Sequence, residues 1–181
     1  MDVTLRPWAT DDAAALRLAV ATSPDLSRQF GDTDLSTITA CAGFIDRQLG
    51  GRPPQGQDLA IAVDGRVAGN VGLSNVDRQH DTAWVYYWVA VEFRRRGLAT
   101  CALAAMSAWA FDSGELFRLE LGHRVNNPAS CAVATGAGFR AEGVARAKLR
   151  YGDQRFDVET HARLATDPAP SVPLLPLVEV T

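Results

Sequence analysis

The residues of this chain best placed to do chemistry lie in one short run, Val89-Ala90-Val91-Glu92-Phe93-Arg94-Arg95-Arg96-Gly97-Leu98-Ala99-Thr100. It reads as the end of a strand, a turn and the start of a helix. A helix beginning at Leu98 aims several unsatisfied N–H groups, and the positive end of its dipole, at one point. Gly97 lets a ligand approach the backbone without meeting a Cβ, Ala99 is nearly as small, and Arg94, Arg95 and Arg96 surround the place with positive charge. That combination suits a pyrophosphate better than a carboxylate. The spacings of other phosphate loops are missing: there is no Gly-x-x-x-x-Gly-Lys-Ser/Thr and no Gly-x-Gly-x-x-Gly after a strand. Taken alone, Arg-x-x-Gly-x-Ala reads as readily as a solvated turn between two elements.

A second run, Asn126-Asn127-Pro128-Ala129-Ser130, closes with Gly136-Ala137-Gly138-Phe139. Asn127 suits a helix N-cap, Pro128 the first helical position and Ser130 the first turn. Together the two runs resemble the GCN5-related N-acetyltransferases (GNAT), and within them the RimJ/RimL-like group of protein N-terminal acetyltransferases. The family's Arg/Gln-x-x-Gly-x-Gly/Ala motif is matched by Arg94, Gly97 and Ala99, its Asn-x-x-Ser pattern by Asn127 and Ser130, and its Gly-Phe close by Gly138-Phe139. The resemblance covers roughly residues 3 to 164. It implies acetyl-CoA as co-substrate, with the pyrophosphate on backbone N–H groups of the turn from Arg94 through Arg95, Arg96, Gly97 and Leu98 to Thr100. Val89 and Val91 then lie on a splayed strand whose backbone pairs with the pantetheine arm. Asn127 bonds the pantetheine amides, and Ser130 places a hydroxyl near the CoA sulfur as proton donor to the leaving thiolate.

Acyl transfer from a thioester needs a neutral amine, a polarised carbonyl and a protonated leaving thiolate. The group usually carries Glu-x-Gly-Tyr-Trp on the strand before the turn. Aligned through Tyr87-Trp88, the Glu falls at Trp84 and the Gly at Tyr86. The acceptor pocket is therefore expected to lack that carboxylate and to be walled by large rings, those of Trp84 and Tyr86 with Trp88 on the same side. Deprotonating an α-amine of pKa about 8 costs roughly 1.4 kcal/mol at pH 7, against roughly 4.6 for a lysine amine. The expected acceptor is thus an amine of modest pKa, a peptide N-terminus or a small amine, deprotonated through water or by a substitute such as His123 or Asp77. Glu120 and Glu159 are further candidate bases. The competing reading, motivated by Trp84, is a CoA-binding module with little or no catalytic activity.

The elements that must position these groups follow from patterning. Residues 3 to 7 read as a strand, Asp11 to Val20 as a helix, Leu35 to Leu49 as a second helix ending at Gly50-Gly51, and Arg52, Pro53, Pro54 and Gly56 as a mobile loop. Strands at 59 to 63 and 67 to 76 flank Asp64-Gly65, a tight-hairpin dipeptide. The strand from Thr82 to Val91 places Trp84, Tyr86 and Trp88 on one face and Val85, Tyr87 and Val89 on the other. Leu98, Cys101, Ala102, Ala105, Met106 and Trp109 recur at helical spacing until Ser113-Gly114. A strand from Phe117 to Arg124, a short helix after Asn127 and strands at roughly 140 to 150 and 156 to 164 complete the pattern. The expected fold is α/β (α+β): one domain, residues 1–165, with flanking helices and a central mixed, mostly antiparallel sheet that the resemblance implies is splayed at the acyl-CoA site. Residues 166–181 form a Pro-rich tail expected outside the core, with Val172-Pro173-Leu174-Leu175 able to dock.

Composition limits the partners. With 181 residues and net charge −3, the chain makes one core and lacks the basic footprint of a nucleic-acid binder. Three cysteines, Cys41, Cys101 and Cys131, in no paired spacing point to a reducing compartment, so the cytoplasm is expected. No stretch approaches the ~20 apolar residues of a membrane span. His80, His123 and His161 lack the spacing of a metal site, and no metal is expected. Cys101 and Cys131 have no histidine beside them and read as packing residues, and no Gly-x-Ser-x-Gly elbow is present. Large rings near a strand edge also suggest a homodimer.

Overall fold

Period-two alternation on either side of Asp64-Gly65 folds the middle of the chain into an antiparallel meander in the computed structural model, which describes residues 1–50 and 56–178. The strands are β1 (Val3–Arg6), β2 (Gln57–Val63), β3 (Arg66–Asp77), β4 (Thr82–Val89), β5 (Arg118–Arg124), β6 (Arg140–Tyr151) and β7 (Gln154–Leu164). They form one seven-stranded sheet in the order β1-β2-β3-β4-β5-β7-β6. Among these strands the β4–β5 pair is parallel and the other neighbouring pairs are antiparallel. Asp64 and Gly65 have φ of 47° and 80°, the left-handed pair that a two-residue hairpin turn needs.

The helices are α1 (Ala13–Thr22), α2 (Ser27–Phe30), α3 (Ile38–Phe44), α4 (Leu98–Asp112) and α5 (Pro128–Gly136). α4 packs on β3 and β4, and α5 on β5 and β6. On the opposite face Trp88 of β4 meets Trp8 and Phe30, with ring centroids 6.1 and 5.8 Å apart. α4 is buried well beyond a single stripe: Ala102, Leu103, Ala104, Ala105 and Met106 are all enclosed, whereas Cys101 and Trp109 remain partly accessible. Among the described residues no helix is long and apolar enough to cross a membrane.

Several elements differ from their sequence pattern. The helix expected over 35 to 49 starts later, where the Thr37 hydroxyl accepts from Ala40 N–H at 3.1 Å, and its last turn, Ile45–Leu49, widens to a π-helix. A 3-10 turn at Pro24–Leu26 and α2 carried no sequence signal. Of the loop expected through Arg52, Pro53, Pro54 and Gly56, residues 52–54 lie outside the described residues, as does Gly51 at the expected helix end. The tail is not detached: Leu5 N–H donates to Pro176 O and Val178 N–H to Leu5 O, both at 2.8 Å, while Val172, Leu175 and Leu177 pack against the core. Proline removes donors but leaves carbonyls, so this segment still bonds one side of β1 and covers a sheet edge. The expectation of a homodimer rested on rings near an edge, yet β4 lies in the middle of the sheet.

Candidate active site in the splayed cleft

β4 and β5 are matched only from Thr82–Arg118 to Trp84–Glu120, although β4 runs on to Val89 and β5 to Arg124. Beyond Trp84 the strands diverge. Ala90 N–H bonds Ala68 O at 2.8 Å. By the alternation of an antiparallel ladder, even-numbered residues of β4 therefore address β3, and the N–H groups of Tyr87 and Val89 face the opening. The strand ends before Val91, which begins a 3-10 turn and gives its N–H to Ser23 Oγ at 3.0 Å. Val91 still lines the cleft, but its expected place on the pairing strand is corrected: its donor is occupied.

At the mouth of the opening, Gly97 (φ 76°) precedes α4 with no side-chain cap among the described residues, leaving the first N–H groups of the helix available to a ligand. A Cβ built on Gly97 would meet nothing within 4 Å, so the glycine borders open space. The three arginines divide. Arg94 donates Nε to Val89 O at 2.8 Å and pairs with Asp25 at 2.9 Å, which makes it a brace for the turn rather than mobile charge. Arg96 bonds Glu92 O and lies 5.5 Å from the Phe93 ring centre, outside the cleft lining. Arg95, exposed and itself in the left-handed region at φ 63°, lines the cleft beside Gly97, Leu98, Ala99 and Thr100.

The opposite wall comes from α5. Asn127 caps it, its Oδ1 accepting from Ser130 N–H at 3.2 Å. The Ser130 hydroxyl lies 2.8 Å from the phenol of Tyr87, which reaches across from β4. Burial pushes the Tyr87 phenol up to about 12, only partly offset by its bond to Ser130. At neutral pH this tyrosine keeps its proton and can supply one. In the sequence Tyr87 shows only its place on the face of β4 shared with Val85 and Val89; its partner Ser130 lies 43 residues away. The cavity between these walls, from Asp25 to Val133, is about 600 Å³.

Trp84, Tyr86 and Trp88 do share the other face of β4, but they do not form one open wall. Trp88 is 4% exposed and belongs to the core while touching the cleft. Trp84 carries Lys148 Nζ 5.3 Å from its ring centre. Tyr86 turns its hydroxyl to Asp58, 2.7 and 2.8 Å from the two carboxylate oxygens. Asp58 is 4% exposed, accepts also from Asn70 Nδ2 at 2.8 Å, and is pushed up to about 6 by burial, against the pull of these bonds. Asn70 Oδ1 in turn accepts from Trp8 Nε1 at 2.7 Å. The register Asp58–Gly72–Tyr86 explains the reach: a Cβ on Gly72 would lie 2.4 Å from Asp58 Oδ1.

The substitute bases fall elsewhere. His123 is buried against His161 on the α5 side of the sheet, and Asp77 caps a turn by accepting from Gln79 N–H at 2.8 Å. Glu120 sits beside Trp84 in register but is held by Arg118 at 2.6 Å. Asp58 was missed because its partners lie 12 and 28 residues away.

Known proteins share this fold. Mycobacterium smegmatis RimJ, solved in complex with CoA-disulfide, is 28% identical and superposes with a TM-score of 0.75 over 90% of this chain and 82% of that one. The microcin C7 self-immunity acetyltransferase MccE, solved with acetyl-CoA and AMP, has a TM-score of 0.78 at 23% identity over 90% of this chain and 92% of that one, a likeness of fold. The ribosomal-protein-serine acetyltransferase of Escherichia coli (strain K12) is 30% identical over 104 residues, 58% of each chain. The chain spans 58 to 61% of the length of the curated relatives it matches. The model of the acetyltransferase (GNAT) domain matches residues 2–140, well over half of the sequence, and with the splayed sheet and the turn at Gly97 in place the chain belongs to the GNAT acetyltransferase family.

Proposed function

We propose that the chain is an acetyl-CoA-dependent N-acetyltransferase acting on a primary amine. The observation that carries this reading is the cleft itself: an uncapped helix start behind Gly97 at one end, free strand N–H groups along one wall, and the Ser130–Tyr87 hydroxyl pair on the other. The pyrophosphate is assigned to the N–H groups following Gly97, with Arg95 beside it, and the pantetheine arm to the open side of β4, with Asn127 across from it. The Val89 N–H polarises the thioester carbonyl.

The amine nitrogen attacks the carbonyl carbon, the carbon–sulfur bond breaks, and the thiolate takes the Ser130 proton, which Tyr87 replaces through their 2.8 Å bond; the nitrogen gives its second proton to water, and water returns one to Tyr87. The ammonium proton must leave before attack. On the acceptor face Tyr86 and Asp58 are assigned to receive it in relay, Tyr86 passing its own proton to the carboxylate while accepting the incoming one. An α-amine or weakly basic small amine suits this modest base better than a lysine side chain. The E. coli relative is named for ribosomal-protein acetylation, which makes a protein N-terminus the first acceptor to try. The transfer calls for acetyl-CoA and no metal. The three free cysteines support a cytoplasmic setting for the reaction.

Calorimetric titration with acetyl-CoA tests the reading, wild type beside Gly97→Glu, followed by turnover with N-terminal peptides and lysine peptides. Micromolar-range binding abolished by the variant, and faster turnover of N-termini, are expected. No binding by the wild type refutes the transferase assignment; binding without turnover of any amine leaves a CoA-binding module.

A further inference from the structure

Outside the cleft, beneath the other side of α5, four side chains that the transfer does not use converge on one point. His123 and Glu159 stand opposite each other on β5 and β7, His161 follows two residues along β7, and Cys131 points down from the first turn of α5. The two imidazole Nε2 atoms are 3.0 Å apart. Glu159 Oε2 is 3.0 Å from His161 Nε2, 3.3 Å from His123 Nε2 and 3.6 Å from Cys131 Sγ. One ligand atom from each of the four lies within 4.8 Å of every other.

We propose that His123 Nε2, His161 Nε2, Cys131 Sγ and Glu159 Oε2 bind one zinc-class divalent cation, separate from the acyl-transfer cleft, and so clamp α5 to the sheet.

Size comes first. Bonds of about 2.0–2.1 Å to nitrogen or oxygen and about 2.3 Å to sulfur give tetrahedral edges of about 3.3–3.4 Å, or about 3.6 Å where sulfur is one corner. The four distances above lie within about 0.4 Å of those edges. The two remaining edges, from Cys131 Sγ to the imidazoles, are at most 4.8 Å, so the thiolate has to close by up to about 1.2 Å to reach a tetrahedral edge.

Proton count comes second. His123 Nδ1 is 3.0 Å from Arg124 O, a carbonyl that only accepts, so in the neutral ring the proton sits there and Nε2 presents a lone pair. The Glu159 carboxylate, 3.0 Å from His161 Nε2, presents another. Two protons, on Cys131 and His161 Nε2, leave none between His123 Nε2 and Glu159 Oε2, whose lone pairs face each other at 3.3 Å, and a divalent cation would satisfy both together. On binding, the Cys131 proton goes to solvent and the His161 proton moves to Nδ1. That nitrogen is buried without a partner among the described residues, a cost that the metal bonds must exceed.

The donor set of two imidazoles, a thiolate and a carboxylate favours zinc over magnesium or calcium, which prefer all-oxygen shells. An entry path exists, because Cys131, Glu159 and His161 also line a pocket of about 480 Å³ that reaches Asp167 and Pro168 at the start of the tail.

Spectroscopic titration of the chelator-treated full chain with Co²⁺ tests the site. The expected result is one equivalent bound, with the absorption of a tetrahedral ion and a thiolate-to-metal band, displaced by one equivalent of Zn²⁺. Cys131→Ser should abolish the thiolate band, and His123→Gln should weaken Zn²⁺ binding on the order of 100-fold or more, with circular dichroism confirming that each variant folds. No stoichiometric Co²⁺ binding by the wild type overturns the proposal and leaves a hydrogen-bonded histidine pair, as does a thiolate band that survives in Cys131→Ser. Because the readout is metal binding, it is independent of whether acetyl-CoA binds.

Discussion

Replacing Asp58 by asparagine isolates the electrostatic load of the acceptor face. The wild-type carboxyl is 4% exposed and accepts from Asn70 and Tyr86, yet burial still raises it from 3.8 to about 6. A rise of about two units, at about 1.4 kcal/mol per unit, amounts to about 3 kcal/mol. The sign follows from the protons held. Between about pH 4 and pH 6 the folded chain keeps the proton that the unfolded chain has lost, so stability is highest below the unfolded value and falls as pH rises through the folded one. The amide introduced by Asp58→Asn does not titrate. It keeps an acceptor for the Asn70 amide and offers an N–H to the Tyr86 oxygen. Urea unfolding followed by tryptophan fluorescence, for wild type and Asp58→Asn across this range, measures the difference between the two proteins at each pH, in which every other titrating group cancels. The variant should gain about 3 kcal/mol on the wild type between about pH 4 and pH 7. A difference that stays flat with pH, or changes with the opposite sign, refutes the assignment of a buried, weakly acidic carboxyl at this position.

Two further substitutions probe the cleft. Gly97→Ala should cost only the strain of a left-handed alanine, about 1 kcal/mol in urea unfolding, because its Cβ meets no protein atom within 4 Å; it should weaken acetyl-CoA at least tenfold by calorimetry, and unchanged affinity would place the pyrophosphate elsewhere. Tyr87→Phe should lower kcat on the order of 100-fold with acetyl-CoA affinity retained, and Ser130→Ala on top of it should cost little more, since the two hydroxyls act as one unit; fully additive losses in steady-state kinetics would separate them.

What could be read from the sequence was what local backbone chemistry dictates. Asp64-Gly65 and Asn127 each announce a dihedral or a cap from their own residue types, and each is found in that role. The alternation of β4 assigned Trp84, Tyr86 and Trp88 correctly to one face. What could not be read is what partners distant along the chain impose. Arg94 looked like free charge because Asp25, which holds it, lies 69 residues away. Val91 looked like strand because Ser23, which takes its N–H, lies 68 residues away. His123 and His161, 38 residues apart, meet only because β5 and β7 pair with Leu121 opposite His161. Motif spacing along one chain cannot register a cluster assembled from two strands and a helix.

The two departures from the family pattern on β4 become one when the register is followed across the sheet. A carboxylate at position 84 would stand next to Glu120, its registered neighbour, and two charges there would repel; Trp84 removes the conflict and gives Lys148 a ring to cover. Losing the glycine at position 86 would crowd the face with a phenol, except that Gly72, the residue paired with Tyr86 on β3, has no side chain. The small residue has in effect moved one strand over, and the space it opens lets Tyr86 reach a carboxylate two strands from its own. Gly72, Tyr86 and Asp58 therefore stand or fall together, and in the proposed transfer Asp58, reached through a ring rather than carried on β4, takes the part of the acid missing from position 84.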